Sequence, residues 1–226
     1  MKRNQSGFTL IEIAIVLVII GLLLGGVLKG QELINSAKVK NLATDFRNIP
    51  VYIYGYQDKF KALPGDDSAA ITHVTATANG NGNGVINGNW NDPATATTSE
   101  AVNFWQHVRL AGLAAGPTSL TAPAYIPTNA VGGIIGIQSG TTDITKTPIT
   151  DLTTPTALAI RGSYIICSSG ILGKFVKQLD TTMDDGNTAT GSMMAGTAAA
   201  SPGTPMTAVA TGLIDEAAPY TVCMGI

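Results

Sequence analysis

The first long pattern along the chain is an apolar run that carries no charged residue over positions 13–28. Together with residues 8–12 it reaches about the 20 residues that an α-helix needs to span the hydrocarbon core of a bilayer. Glu12 is the one ionisable residue within positions 7–26. The pattern therefore predicts a membrane helix with a carboxylate near its start.

A second pattern follows, in which apolar residues recur at alternating steps of three and four, as in an amphipathic helix. Its members are Val39, Leu42, Phe46, Ile49, Ile53, Tyr56, Phe60 and Leu63. Pro50 lies inside this pattern, but the spacing continues across it. We therefore predict one long helix that is kinked at Pro50 and ended by the Pro64 and Gly65 of ALPGDD.

The distal part of the chain alternates short apolar segments with turns. Residues 99–113, SEAVNFWQHVRLAGL, predict a short helix with Ser99 as its N-cap and His107 as a structural residue. Strands are predicted at 132–140, 157–167 and 173–180. A helix followed by strands is typical of an α+β fold, in which an antiparallel sheet packs on the second half of the long helix.

Charge is unevenly distributed between the two parts. Residues 1–61 hold eight Lys/Arg and four Asp/Glu, whereas residues 62–226 hold five and eleven. The distal part is therefore acidic and offers no basic patch to neutralise the phosphates of a nucleic acid. The sequence has no nucleophile-elbow, zinc-protease or phosphate-loop motif, so we predict no enzymatic activity.

Cys167 and Cys223 are the two cysteines of the chain. In a protein exported from the cytoplasm, a lone pair of this kind is typical of one disulfide, and two unpaired buried thiols are the alternative.

The residues around the apolar run indicate an anchor that is retained. Lys2 and Arg3 favour a cytoplasmic N-terminus, and no small-residue cleavage site follows the run. A carboxylate deep in a bilayer costs on the order of 3 kcal/mol on insertion scales. Glu12 therefore either extends to the headgroups or serves a function.

The segment GFTLIEIAIVLVIIG resembles the N-terminus of type IV pilins and pseudopilins. The resemblance implies that a prepilin peptidase cleaves between Gly7 and Phe8 and that the new amine of Phe8 is methylated. It also implies that Glu12 of one subunit meets the cationic Phe8 amine of a neighbour in a filament, since each charge is costly alone in an apolar medium. LPGDD, the Asn/Gly loop and WQHVRLAGL extend the resemblance thinly to residue 115.

The resemblance implies a pilin-like α+β fold, with a long kinked helix on a distal antiparallel sheet and a C-terminal disulfide-bounded loop. Gly21, Gly25 and Gly26 predict either close helix packing or local melting of the helix on assembly. The expected divisions are a leader at 1–7, the transmembrane and assembly half of the helix at 8–30, its amphipathic half at 31–63, and the distal domain at 64–226.

Two distal loops resemble calcium sites in part, although no cofactor is required. NGNGNGVINGN places Asn79, Asn81 and Asn83 at calcium-loop spacing, but it lacks acidic ligands and has Trp90 at the twelfth position. The second loop crowds four oxygen-bearing residues, Asp180, Asp184, Asp185 and Asn187. Calcium, which major type II secretion pseudopilins bind in distal loops, and a plain Asx turn are both open interpretations of it.

The expected function is therefore that of a structural subunit of a type IV pilus. The subunit would wait in the bacterial inner membrane and then join an extracellular filament. Its expected partners are copies of itself, the inner membrane, prepilin peptidase and a pilus or secretion assembly platform. The alternatives are a type II secretion pseudopilin and a monomeric membrane-anchored ligand-binding protein. The Cys pair favours the pilin, because major type II pseudopilins generally lack the disulfide-bounded loop.

Overall fold

The computed structural model describes residues 9–151, 156–198 and 201–226. By its internal contacts the chain forms two compact units, Met1–Lys38 and Val39–Ile226. Helix α1 runs from Leu10 to Phe60 and contains Pro50. The predicted continuity of the helix across this proline is confirmed.

In the first unit, α1 presents apolar side chains on all sides. Its large hydrophobic residues from Leu10 to Leu28 are 46–92% exposed. An 18-residue window of the helix has a mean hydropathy of 2.8, so α1 is long and apolar enough to cross a membrane. A helix that is apolar all round needs cover from lipid or from protein.

In the second unit, the rest of α1 buries one face. The predicted stripe is confirmed, because the buried positions of α1 follow its three-and-four spacing. They are Val39, Leu42, Ala43, Phe46, Ile49, Ile53 and Tyr56. At the end of the helix, Lys61 takes a left-handed backbone conformation (φ 54°) and its N–H bonds the Gln57 carbonyl. This turn directs the chain into ALPGDD.

The core of the second unit is a four-stranded antiparallel sheet. Its spatial order is β1-β3-β6-β4. A short parallel pair, β2 with β5, forms a second sheet. The strands are β1 (Ile135–Ser139), β2 (Ile149–Thr150), β3 (Tyr164–Leu172), β4 (Met193–Gly196), β5 (Met206–Thr207) and β6 (Pro219–Gly225).

Alternation along the strands divides the sheet between two apolar clusters. Ile166, Val222 and Met224 belong to the cluster that contains the buried stripe of α1. Their neighbours Cys167 and Cys223 belong to a second cluster, on the opposite face. The two cysteines are directly paired across β3 and β6, are fully buried and form a disulfide. The predicted bridge is confirmed.

The described residues also form the α-helices α2 (Ala70–Val74), α3 (Glu100–Leu110) and α4 (Gly173–Met183), together with a 3-10 turn at Thr211–Leu213. The helices α3 and α4 contact the sheet, and α2 contacts α3. The predicted helix at 99–113 is confirmed as α3. The strand predicted at 173–180 is wrong, because these residues form α4. Phe175, Val176 and Leu179 are buried on one side of it, at helical spacing.

The prediction at 157–167 is correct only for its last part. Strand β3 begins at Tyr164, and earlier in the segment Ala159 makes an isolated bridge with Thr150. The segment between the two cysteines contains α4, β4 and β5, so it is a folded part of the unit.

We expect the disulfide to contribute strongly to stability. The bridge links residues 56 positions apart, and loop-closure entropy assigns such a link about 4 kcal/mol. The double variant Cys167→Ala, Cys223→Ala should lower the free energy of unfolding by about that amount. Urea unfolding of the detergent-solubilised chain, followed by tryptophan fluorescence, measures this. Equal urea midpoints for the variant and the oxidised wild type would contradict the expectation.

Asp45 predicts a pH dependence of stability. It lies partly buried on α1 beside a cavity of about 110 Å³ that Tyr52 and Arg109 also line. Burial raises the pKa of Asp45 to about 6 from an ordinary 3.8. The folded state therefore holds this proton more tightly than the unfolded state, and its stability falls as the pH rises from about 4 to 6.

Asp45→Asn should consequently stabilise the protein at pH 8 by on the order of 1 kcal/mol, after allowance for solvent screening. The difference should shrink as the pH falls from 6 towards 4 and vanish only below about pH 3, where the carboxyl is neutral in both states. Asp58→Asn, at a side chain that is 91% exposed, is the matched control. Thermal unfolding from pH 4 to 8 tests this, and a difference independent of pH would contradict it.

Candidate assembly site and the polar anchors of the distal domain

The start of α1 is held by Thr9 and Glu12. The Thr9 amide and its hydroxyl both donate to Oε2 of Glu12, each at 2.8 Å. In return, the amide of Glu12 donates to the Thr9 hydroxyl oxygen at 3.3 Å. The Thr9 carbonyl accepts the first bond of the helix, from Ile13 at 3.4 Å.

This arrangement is a capping box. A Thr at the N-cap and a Glu three residues later satisfy each other's amide groups, which the helix itself leaves without partners. The sequence carries this signal as Thr-Leu-Ile-Glu at residues 9–12, and the prediction from the charge of Glu12 alone misses it. The structure adds a local function for this carboxylate, which is to fix the first turn of α1.

The other residues predicted for assembly are the cleavage-site pair and three glycines of α1. Gly7 and Phe8 lie outside the described residues, so cleavage, methylation and the contact of Glu12 with an amine stay predictions. Gly21, Gly25 and Gly26 lie within α1, and a Cβ built on any of them would meet nothing within 4 Å. The helix surface at these glycines is therefore open, and both close packing and melting remain predictions.

The comparison with known families finds a match in this N-terminal segment. Residues 2–28 match the prokaryotic N-terminal methylation motif. This match is confined to the N-terminal segment and supports a leader of the class III kind, as in type IV pilins and pseudopilins. This leader implies a structural subunit that is processed by prepilin peptidase and polymerises. No curated protein and no solved structure matches the chain.

In the distal domain behind this leader, α3 acts as the anchor for the surrounding loops. Every residue from Glu100 to Arg109 is buried, including the polar ones. Glu100 accepts from the amides of Asn81 and Asn87, at 2.9 and 2.8 Å. Gln106 accepts from the amide of Thr77 and donates to the Thr118 carbonyl.

His107 and Arg109 of α3 also anchor neighbouring loops. Nδ1 of His107 accepts from the Gly65 amide at 3.0 Å, and burial lowers the pKa of this histidine to about 4. It is therefore neutral at pH 7, as a structural residue would be. Arg109 donates to the carbonyls of Pro117 and Tyr125, and its guanidinium lies over the ring of Tyr125.

The Asn/Gly loop is organised around a carboxylate of the protein. The buried Asp66 accepts from the amides of Gly82, Asn83 and Gly84, at 2.7–3.0 Å. A calcium loop would instead direct oxygen atoms inward. The oxygens of the three asparagines at calcium-loop spacing each accept from a backbone amide, those of Ile71, Asn83 and Val85.

Asp67 joins the end of α1 to α2. Its carboxylate accepts from the Tyr56 hydroxyl and contacts Nδ1 of His73, both at 2.7 Å. Burial alone would raise the pKa of Asp67, but hydrogen bonds from His73, the Ala69 amide and Tyr56 outweigh it and lower the pKa. In the sequence, ALPGDD predicts the end of the helix and carries part of the resemblance, but nothing in it indicates that Asp66 and Asp67 are anchors.

The second calcium candidate surrounds the turn after α4. Asp180 is buried and accepts from the Gly186 amide, while its Oδ2 has no partner within the described residues. Asp184, Asp185 and Asn187 each accept from a backbone amide, those of Met193, Asn187 and Ala189 respectively. The bonds to Asp185 and Asn187, each from the amide two residues later, are of the Asx-turn kind, whereas Asp184 links the turn to the start of β4. Calcium at this turn stays a prediction.

We expect Asp66 to be needed for the stability of the distal domain. Asp66→Ala should lower the free energy of unfolding by about 3 kcal/mol, because it leaves buried amides without an acceptor. Asp66→Asn should lose less, since its amide oxygen still accepts. Asp58→Ala is the exposed control, and thermal unfolding is the measurement. Equal melting temperatures for Asp66→Ala and the control would refute an anchoring function.

Proposed function

We propose that this protein is a pilin, the structural subunit of a type IV pilus. The observation that carries the proposal is the start of α1, where the methylation motif includes the capped first part of a helix with exposed apolar side chains on every side. Such a surface is stable in a membrane before assembly and at the centre of a helical polymer afterwards. Nothing in this function requires catalysis by the subunit.

Assembly would pair Glu12 with the methylated amine of Phe8 in a neighbouring subunit, after cleavage behind Gly7. A carboxylate and an ammonium group are each costly in an apolar filament core, and the cost falls when they meet. The pair forms at one axial offset between neighbouring helices, so it would also set the subunit register. Gly21, Gly25 and Gly26 would then give the helices room to approach or to unwind.

The buried Cys167–Cys223 bridge supports a pilus over a secretion pseudopilus. It stabilises a large distal domain, as suits a subunit exposed outside the cell after its release from the inner membrane. A pilus assembly platform and prepilin peptidase are the proposed partners, together with further copies of the chain. Calcium at the Asp180 turn would add stability to this domain without being needed for polymerisation.

Glu12→Ala tests the proposed contact. The variant should insert in the membrane and be processed. Its filament yield should fall by tenfold or more, because the Phe8 amine of the neighbouring subunit would be left as an unpaired buried charge. The measurement is immunoblotting of the sheared-filament and membrane fractions. Glu32→Ala, at an exposed position of the same helix, is the matched control. Normal filament yield from Glu12→Ala would remove this carboxylate from the mechanism.

The intact mass of the wild-type chain in both fractions separates the alternatives. Long filaments of a chain that starts at methylated Phe8 support the pilin. A processed chain that stays with the envelope and forms no surface filament favours a secretion pseudopilin. An unprocessed chain would contradict both and leave a plain membrane anchor.

A further inference from the structure

A cleft of about 620 Å³ lies beside α3 in the distal domain, and it shares no lining residue with the predicted assembly and calcium sites. Among the described residues that line it, seven carry a hydroxyl group, three are apolar, one is Gln106, and none is ionisable. The volume lies in the range of sites that take small ligands. The hydroxyl groups and the lack of charge set the chemistry of this cleft.

The walls of the cleft are fixed by α3, where Asn103 and Gln106 lie three residues apart on one face. Oε1 of Gln106 accepts the amide and the hydroxyl of Thr77, at 3.0 and 2.8 Å, and its Nε2 donates to the Thr118 carbonyl at 2.8 Å. Nδ2 of Asn103 donates to the Thr97 carbonyl at 3.1 Å. Three separate segments of the chain are thus bonded to one helix, so the cleft is formed before any ligand arrives.

Thr75, on the same cleft, has a strained backbone. It ends α2 with φ 58° and ψ 37°, a left-handed conformation that glycine or asparagine usually supplies at a helix C-terminus. A β-branched residue in this conformation is an outlier, and such residues cluster at ligand sites. The hydroxyl of Thr75 donates to the Val74 carbonyl at 2.6 Å, so its oxygen can still accept a further hydrogen bond.

Other polar groups at the cleft have no partner within the described residues. Thr97, Thr98 and Thr118 are exposed, and their hydroxyl groups make no hydrogen bond there. Behind Thr97, the side chain of Asn103 is buried and its Oδ1 accepts no bond. The cleft therefore has spare donors and acceptors on a fixed frame.

We propose that this cleft binds a neutral saccharide. Hydroxyl groups both donate and accept, as the hydroxyls of a sugar do, and the apolar Leu110 and Leu120 can pack against the C–H face of a sugar ring. A charged ligand would lose water here without meeting an opposite charge, which is costly. The inference goes beyond the pilin function and does not depend on filament formation.

Binding is measured on the full mature chain by the NMR shifts of its backbone amides. The chain is isotope-labelled and solubilised in a phosphocholine detergent, because a detergent with a sugar headgroup would compete for the cleft. The neutral probes are maltotriose, cellotriose and triacetylchitotriose, and trigalacturonic acid is the charged counterpart. At least one neutral probe should give saturable shifts at the amides of Thr75, Thr77, Thr97 and Thr98, and the charged probe should give none.

Two sets of variants test the groups that carry the inference. The double variant Thr97→Val, Thr98→Val keeps the shape of both side chains and should weaken binding about tenfold, because it removes two hydroxyl groups. Thr182→Val, at an exposed threonine of α4, is the matched control and should bind as the wild type does. Thr75→Gly should raise the melting temperature by a few degrees, since glycine relieves the backbone strain, yet weaken binding several-fold.

Several results would overturn the proposal. They are the absence of saturable shifts with all three neutral probes, shifts confined to residues outside the cleft, and equal binding of the charged probe. Unchanged affinity in the double variant overturns the assignment of its hydroxyl groups, and Thr75→Gly with normal affinity removes Thr75 from the site. A hexose mass covalently attached to the peptide that contains Thr97 and Thr98 would instead make the cleft a modification site.

Discussion

The constraint on which the rest of this molecule depends is an apolar helix surface that its own fold does not cover. From Leu10 to Leu28 the large side chains of α1 remain exposed, and a surface of this size needs lipid or other helices around it. Lipid and the proposed filament of identical helices are both apolar, so the proposed transfer would change the free energy of the aliphatic side chains little. The specificity of that transfer would then depend on polar groups, and Glu12 is the carboxylate within this apolar segment.

In the second unit, a small number of buried carboxylates orders the long loops. Only 12% of the chain is charged, yet several of its acidic side chains are buried in the distal domain. Asp66, Asp67 and Glu100 accept backbone amides from segments that have no strand to pair with. A carboxylate with several amide donors tolerates burial, because its charge is spread over strong hydrogen bonds. The acidic composition of this domain is therefore partly internal, and the net charge alone overstates how acidic its surface is.

The sequence predicted the elements that depend on periodicity and missed those that depend on tertiary contacts. The stripe on α1, the short helix α3 and the strand β1 follow directly from the spacing of apolar residues. The high β-propensity of Phe175 and Val176 favours a strand at 173–180, but the buried apolar residues of this segment lie at helical spacing and the segment forms α4. The anchors Asp66 and Glu100 could not be found in this way, since their amide partners lie 13 to 19 positions away. No local sequence pattern indicates a contact between residues at such a separation.

Glu12 shows why a charged residue in an apolar segment should be examined for local bonds before distant ones. The cost of its charge in the membrane favours a partner in another subunit, but the threonine three residues earlier is a partner within the same chain. The Thr9 hydroxyl and amide already satisfy one oxygen of the carboxylate. A carboxylate that is half satisfied within its own chain is less costly to keep in lipid. Under the proposed pilin function, this saving would apply to the subunit in the membrane, before a cation of any neighbouring subunit meets Glu12.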